Sequence, residues 1–164
     1  MIISLTGFMG SGKTSVGRIV ADALGCPFWD LDEIVAKKAG KGIPAIFEEE
    51  GEPAFRALEA ECLQAFVKKH GQSNVVLALG GGTLQNAISA KLVKEKTLCI
   101  YLQASASTLK EHIGTPAGRP LASGNWEQLL ESRIGTYEST ASLTLDTDGL
   151  SPEQIADEII IDCL

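Results

Sequence analysis

Eight consecutive residues, Gly7-Phe8-Met9-Gly10-Ser11-Gly12-Lys13-Thr14, form a complete G-x-x-x-x-G-K-T loop. Glycines at these positions let the backbone wrap around phosphate oxygens, whose charge meets exposed N–H groups and the positive end of the helix that follows. A lysine at the seventh place reaches the β- and γ-phosphates of ATP, and a threonine at the eighth offers its hydroxyl to Mg²⁺. Gly10, Ser11, Gly12, Lys13, Thr14 and Ser15 are therefore the expected nucleotide contacts, with Thr14 as a metal ligand. The loop stands between an apolar run at 2–6 and a helical pattern at 14–24, which is the setting this motif needs.

A second pair is Asp30-Leu31-Asp32, at the end of a short apolar stretch. Alternation along a strand would set both carboxylates on one side, at the sheet end where open α/β folds bind ligands. One could hold the metal through water while the other orients or deprotonates an acceptor hydroxyl. The competing reading is an Asp that caps a helix beginning near Glu33.

Three further sets carry positive charge or bare backbone. Phe55-Arg56-x-x-Glu59 places an Arg and a Glu three apart on a helix, and spacing alone favours a solvated ion pair over a substrate fork. Gly80-Gly81-Gly82 directly follows the strand-like run 75–79, where glycines allow close approach of a ligand. Arg119 lies in the Gly-, Pro- and Ser-rich stretch 114–124, the composition of a lid that closes over phosphates. Arg133, one turn before Tyr137, is a weaker candidate for a second carboxylate contact.

Positioning these groups requires a layered scaffold, and the rest of the chain supplies its pattern. Apolar β-branched runs at 2–6, 27–32, 75–79, 97–102 and 143–145 alternate with helical patterns at 14–24, 52–69, 87–94, 106–112, 125–140 and 151–163. That alternation predicts an α/β fold with a parallel sheet covered on both faces. Ser151-Pro152-Glu153 reads as an N-cap with proline at the first helical position. Residues 40–52 and 114–124 break the pattern and are expected to be irregular.

The chain has 164 residues, enough for one domain with its own core, and no internal repeat divides it. Its formal net charge of −7 excludes non-specific nucleic-acid binding, which needs a basic surface. An acidic protein that binds phosphates must gather its few cations, here Lys13, Arg56, Arg119 and Arg133, in one cleft. With no apolar run near the roughly 20 residues of a membrane span and no basic leader at the N-terminus, a cytoplasmic chain without a membrane partner is expected. Cys26, Cys62, Cys99 and Cys163 have no metal-ligand spacing and are expected to be buried, reduced thiols.

Taken in order, Gly7 to Thr14, Asp30-Leu31-Asp32, Ile46-Phe47-x-x-Glu50-Gly51-Glu52, Phe55-Arg56-x-x-Glu59, Gly80-Gly81-Gly82, Arg119-Pro120-Leu121 and Arg133-x-x-x-Tyr137 resemble the shikimate kinase family over nearly the whole chain. The resemblance implies a three-layer α/β/α P-loop kinase with a five-stranded parallel sheet in the order 2-3-1-4-5. It also implies a substrate-binding segment at about 33–61, a lid at about 114–124, and a single monomeric domain over 1–164. The implied reaction is Mg²⁺- and ATP-dependent phosphorylation of the 3-hydroxyl of shikimate, in aromatic amino-acid biosynthesis.

By the same carry-over, Lys13, Asp32 and Arg119 are catalytic and Arg119 also contacts ATP. Asp32, Arg56, Gly80, Gly81, Gly82 and Arg133 bind substrate, and Asp30 reaches the metal through water. The chain departs from the family pattern at His112, where members often carry an Arg against adenine, and at Ala122, where a second Leu is frequent. The adenine contact is then weaker, or made by imidazole stacking.

Three other readings compete. A gluconate-type kinase should lack the pairing of Phe55-Arg56 with Gly80 to Gly82. A non-catalytic relative should show damage at Lys13, Thr14, Asp32 or Arg119, and all four are intact. A GTPase-type switch needs an N-K-x-D segment, and the sequence has none.

Overall fold

A computed structural model describes residues 1–113 and 125–163 of the chain. The expected lid at 114–124, with Arg119 and Ala122, lies outside the described residues.

Strand β1 (Ile2–Thr6) is buried along its whole length, as a central strand covered on both faces must be. It leads through the glycine loop into helix α1 (Lys13–Leu24). Strand β2 (Phe28–Asp30) is followed by α2 (Leu31–Ala39), α3 (Ile43–Glu50) and the long α4 (Glu52–His70). Then come β3 (Val75–Ala78), a 3₁₀ turn (Thr83–Gln85), α5 (Ala87–Lys96), β4 (Leu98–Gln103), α6 (Ala106–Ile113), α7 (Trp126–Thr140), β5 (Leu143–Asp146) and α8 (Pro152–Cys163).

The strands form one sheet in the order β2-β3-β1-β4-β5, every pair parallel, as the resemblance implies. Side-chain alternation splits the core into two layers. Ile3, Leu5, Val76, Ile100 and Leu102 pack against Val16 and Val20 of α1 and Ile155 and Ile159 of α8. Ile2, Val75, Leu77, Cys99 and Tyr101 face the other way, onto Leu63 and Phe66 of α4, Val93 of α5 and Tyr137 of α7.

This order has one consequence for chemistry. β1 and β3 are neighbours, with Leu5 opposite Ala78, and β2 flanks β3, with Asp30 also opposite Ala78. The glycine loop after β1, the glycine run after β3 and the carboxylates after β2 therefore emerge side by side at the carboxyl end of the sheet. Helices α1 and α5 leave β1 and β3 towards opposite faces, which opens a crevice there.

Several sequence expectations need correction. Asp30 and Asp32 are not two strand residues with a shared face. The strand ends at Asp30, which N-caps α2: its Oδ1 accepts a 2.9 Å hydrogen bond from the Asp32 backbone N–H. Helix α2 thus starts at Leu31, not near Glu33, and the two carboxylates converge through a cap and the first helical turn.

Residues 40–52 are not an irregular break either. Ile43, Ile46 and Phe47 stand at helical spacing and pack on the core, with Pro44 in the first turn, so α3 forms between Gly42 and Gly51. The Glu48-Glu49-Glu50 run is its exposed end, and Lys41 bridges Glu49 and Glu50 at 2.5 and 2.8 Å.

Other boundaries move by one or two residues, and α8 begins as expected. Ser151 Oγ accepts from the Gln154 N–H at 3.2 Å, while Gln154 Oε1 accepts from the Ser151 N–H at 2.8 Å. Cys62 and Cys99 are buried but Cys26 is only half-buried. No helix of the described residues is long and apolar enough to cross a membrane.

Candidate active site

The glycine loop is built for an anion. Gly7 is held at φ 149°, and a Cβ there would stand 2.7 Å from the Leu102 carbonyl oxygen. Gly12, at φ 93°, brings the chain into α1, whose N-terminus carries no capping side chain and no acidic residue in its first turn. The first N–H groups of α1 thus keep their positive field for a ligand. Lys13 Nζ lies back along the loop, donating to the Gly7 and Phe8 carbonyls at 2.6 and 3.1 Å. Thr14 Oγ1 donates to Asp30 Oδ2 at 3.3 Å. Asp30 therefore holds α2 with one oxygen and meets the loop threonine with the other.

A cleft of about 630 Å³ opens over these groups. Gly10, Gly12, Lys13, Thr14 and Ser15 line one part of it, and Asp30, Asp32, Gly80 and Gly81 another. Ser11 is buried beneath the loop, its hydroxyl without a hydrogen-bond partner among the described residues. His112 lines the cleft as well, with Nδ1 2.7 Å from the Gly10 carbonyl oxygen.

Asp32 is the perturbed acid of the cleft. Burial pushes its carboxyl up to about 6, helped by the charges of Asp30 and Glu59 and opposed by Lys13 and Arg56. A carboxylate poised there can take a proton near neutral pH.

The glycine run is shaped by the site's own side chains. A Cβ on Gly80 would lie 2.9 Å from Glu59 Oε2 and 3.1 Å from both Asp32 Oδ1 and Thr83 Oγ1. One on Gly82 would overlap the Arg56 guanidinium. Gly81 is the more open position, 3.5 Å from Arg133 Nη1 and from the Met9 amide nitrogen, and its carbonyl accepts a 2.5 Å hydrogen bond from the Tyr137 hydroxyl.

Arg56, whose spacing favoured a solvated pair, is no free surface group. Its Nη1 donates to Glu59 Oε1 at 3.0 Å, and its Nε and Nη2 donate to Glu52 Oε2 at 3.3 Å each. Glu59 is buried, and its second oxygen accepts from Thr83 Oγ1 at 2.9 Å. Arg133 is buried with Phe8 beneath it, the guanidinium 5.9 Å from the ring centroid. Burial lowers its pKa, as does the neighbouring charge of Arg56, with Tyr137 opposing. Its Nε and Nη1 have no hydrogen-bond partner among the described residues.

The structure thus gathers Lys13, Thr14, Asp30, Asp32, Arg56, Gly80 to Gly82 and Arg133 at one end of the sheet. Sequence reasoning missed Glu52, Thr83 and the hydroxyl of Tyr137 as partners. Only Glu52 carried a local signal, four residues before Arg56 on the same helix.

Comparison with known proteins agrees with this geometry. The family model for shikimate kinase matches residues 9–164. A shikimate kinase of Enterococcus faecalis is 40% identical over 164 residues, covering 96% of this chain and 95% of that protein. The solved shikimate kinase of Acinetobacter baumannii in complex with shikimate superposes with a TM-score of 0.90 at 33% identity, covering 97% of this chain and 90% of that one. A gluconokinase from Sinorhizobium meliloti, at 23% identity and a TM-score of 0.66, shares the fold alone.

Proposed function

The chain belongs to the shikimate kinase family and its reaction is ATP-dependent phosphorylation of shikimate; from that premise we propose how its residues divide the work. The observation that carries the division is the single cleft, lined by the loop residues Lys13 and Thr14 and by the raised carboxyl of Asp32.

In this reading the α1 N-terminus and the loop amides hold the ATP phosphates, and Lys13 swings from the Gly7 and Phe8 carbonyls onto them. Asp32 accepts the proton of the 3-hydroxyl as that oxygen attacks the γ-phosphorus, the bond from phosphorus to the β–γ bridging oxygen breaks and ADP leaves. Its neighbours keep its basicity suited to that transfer. Arg56 and Arg133 receive the carboxylate of shikimate. A buried guanidinium whose Nε and Nη1 have no hydrogen-bond partner among the described residues favours an anion beside it, and Arg133 supplies both donors. Gly81 and Gly80 close the wall between the two ligands. Arg119 is proposed to neutralise charge on the transferring phosphate.

Thr14 and Asp30 fit a magnesium ion. Their oxygens are hard donors meeting at the mouth of the phosphate loop, and a site of one or two protein oxygens completed by water and phosphates is how this ion is usually held. When bound, Mg²⁺ would neutralise phosphate charge there. The proposal extends to a substrate-binding segment over 33–61, a lid over 114–124 and a cytoplasmic monomer.

The test is an assay of ADP release with ATP, Mg²⁺ and shikimate, run beside gluconate and a no-acceptor control, with and without EDTA. Turnover should require shikimate and the metal together. Lys13→Met should abolish it, whereas turnover surviving that change would remove Lys13 from the phosphate site.

A further inference from the structure

Thr83 belongs to neither the phosphate loop nor the glycine run, yet its hydroxyl sits at the junction of the acceptor pocket. The residue is 1% exposed and starts the 3₁₀ turn that leaves the glycine run, its N–H donating to the Gly80 carbonyl at 3.3 Å. Its Oγ1 donates to Glu59 Oε2 at 2.9 Å. Glu59, 24 residues earlier on α4, is 2% exposed and spends its other oxygen on Arg56 Nη1. Both carboxylate oxygens are therefore fixed, one by a cation and one by a neutral hydroxyl from another element.

We propose that Thr83 is a positioning residue for the acceptor: its hydroxyl locks the rotation of Glu59, and Glu59 fixes the Arg56 guanidinium against Gly82 so that its fork meets the acceptor carboxylate in register. The inference rests on the reading that Arg56 binds that carboxylate.

Three features support the assignment over plain packing. The contact crosses from the turn after β3 to α4, so it ties the glycine wall to the helix that bears the Arg. Glu59 is too buried for water to replace the lost donor freely. Gly82 has no side chain, and the guanidinium fills the space where its Cβ would be, so a small rotation of Glu59 moves Arg56 against bare backbone.

The test compares Thr83→Val, which keeps the shape and loses the hydroxyl, with Thr83→Ser, which keeps the hydroxyl. KM is measured for shikimate and for ATP, with circular-dichroism melts of each protein. Thr83→Val should raise the shikimate KM about tenfold, with the ATP KM within about twofold of the parent and Thr83→Ser close to it. In an Arg56→Ala background Thr83→Val should add nothing, because the lock has no guanidinium left to hold.

If Arg56→Ala raises the shikimate KM but Thr83→Val leaves it unchanged, the inference fails and the carboxylate reading stands. If Arg56→Ala itself leaves that KM unchanged, the underlying reading fails first. Thr83→Ala is measured alongside in case a methyl against Glu59 prevents folding. Equal loss of ATP and shikimate affinity, or failure of both variants to fold, would give Thr83 a stability role only and overturn the proposal.

Discussion

Asp32 Oδ1 and Glu59 Oε2 approach the same point from two helices, 3.1 and 2.9 Å from where a Cβ on Gly80 would stand. Two carboxylates are thus brought close by a residue with no side chain, and their repulsion adds to burial in raising the Asp32 carboxyl to about 6. Gly80→Ala should therefore push the acid from its place rather than fill empty space. The expected outcome is a fall in kcat on the order of 10²-fold, since displacements near 1 Å at a reacting group cost about that much. Steady-state kinetics on the folded variant checks it, and near-parental turnover would show that Asp32 can move aside without consequence.

The raised carboxyl also makes Asp32 a burden on the fold. Below about pH 4 it is protonated in both native and unfolded chains and contributes no penalty. Between about pH 4 and 6 the native state binds the proton more tightly, so stability is lost as pH rises through that window. Above it the penalty is constant, on the order of 3 kcal/mol at most. Asp32→Asn should remove that loss. The ligand-free variant should have a higher urea midpoint than the parent at pH 7.5 and nearly the same midpoint near pH 4. Its kcat should fall by about 10²-fold or more. Equal midpoints at both pH values would mean that Asp32 is ionised in the native state at no extra cost.

How far the sequence showed this site depends on the distance between partners. The phosphate loop is one contiguous segment, and its chemistry could be read directly. Strand and helix alternation predicted the layers, but α3 was hidden because Gly42, Pro44 and the glutamate run look like a loop beside only three core-facing apolar residues. Arg56 was ambiguous because an Arg and a Glu three apart look alike on a wet helix and in a pocket. Burial of Glu59 distinguishes them, and burial depends on α4 meeting the turn after β3. The Thr83–Glu59 and Tyr137–Gly81 bonds span 24 and 56 residues, so neither leaves a local pattern to read.

Arg133 and Tyr137 should separate into binding and support. Arg133→Lys keeps a cation but loses the planar fork whose Nε and Nη1 have no hydrogen-bond partner among the described residues. It should raise the shikimate KM about tenfold or more, leaving the ATP KM near the parent value. Tyr137→Phe removes the 2.5 Å donor to the Gly81 carbonyl but keeps the ring against Tyr101. It should cost about 1 kcal/mol of stability, with a smaller rise in KM than Arg133→Lys. Chemical denaturation and kinetics on the pair check the split. A larger KM effect from Tyr137→Phe would move the substrate contact from the guanidinium to the wall it supports.

His112 allows a sharper test of the nucleotide end of the cleft. It is exposed on α6, lines the cleft, and its Nδ1 meets the Gly10 carbonyl oxygen at 2.7 Å. By the family resemblance, members often carry an always-charged Arg at this position, against adenine. An imidazole lacks the delocalised, permanently charged fork of a guanidinium, hence a weaker stack. His112→Arg should therefore lower the ATP KM about two- to fivefold and leave the shikimate KM unchanged. His112→Ala should raise the ATP KM, because it removes both the ring and the contact with the phosphate loop. Both effects are read from ATP titrations at saturating shikimate. If Arg weakens ATP binding as much as Ala does, the contact to Gly10 is what matters at this position, and His112 acts by holding the loop rather than by facing the base.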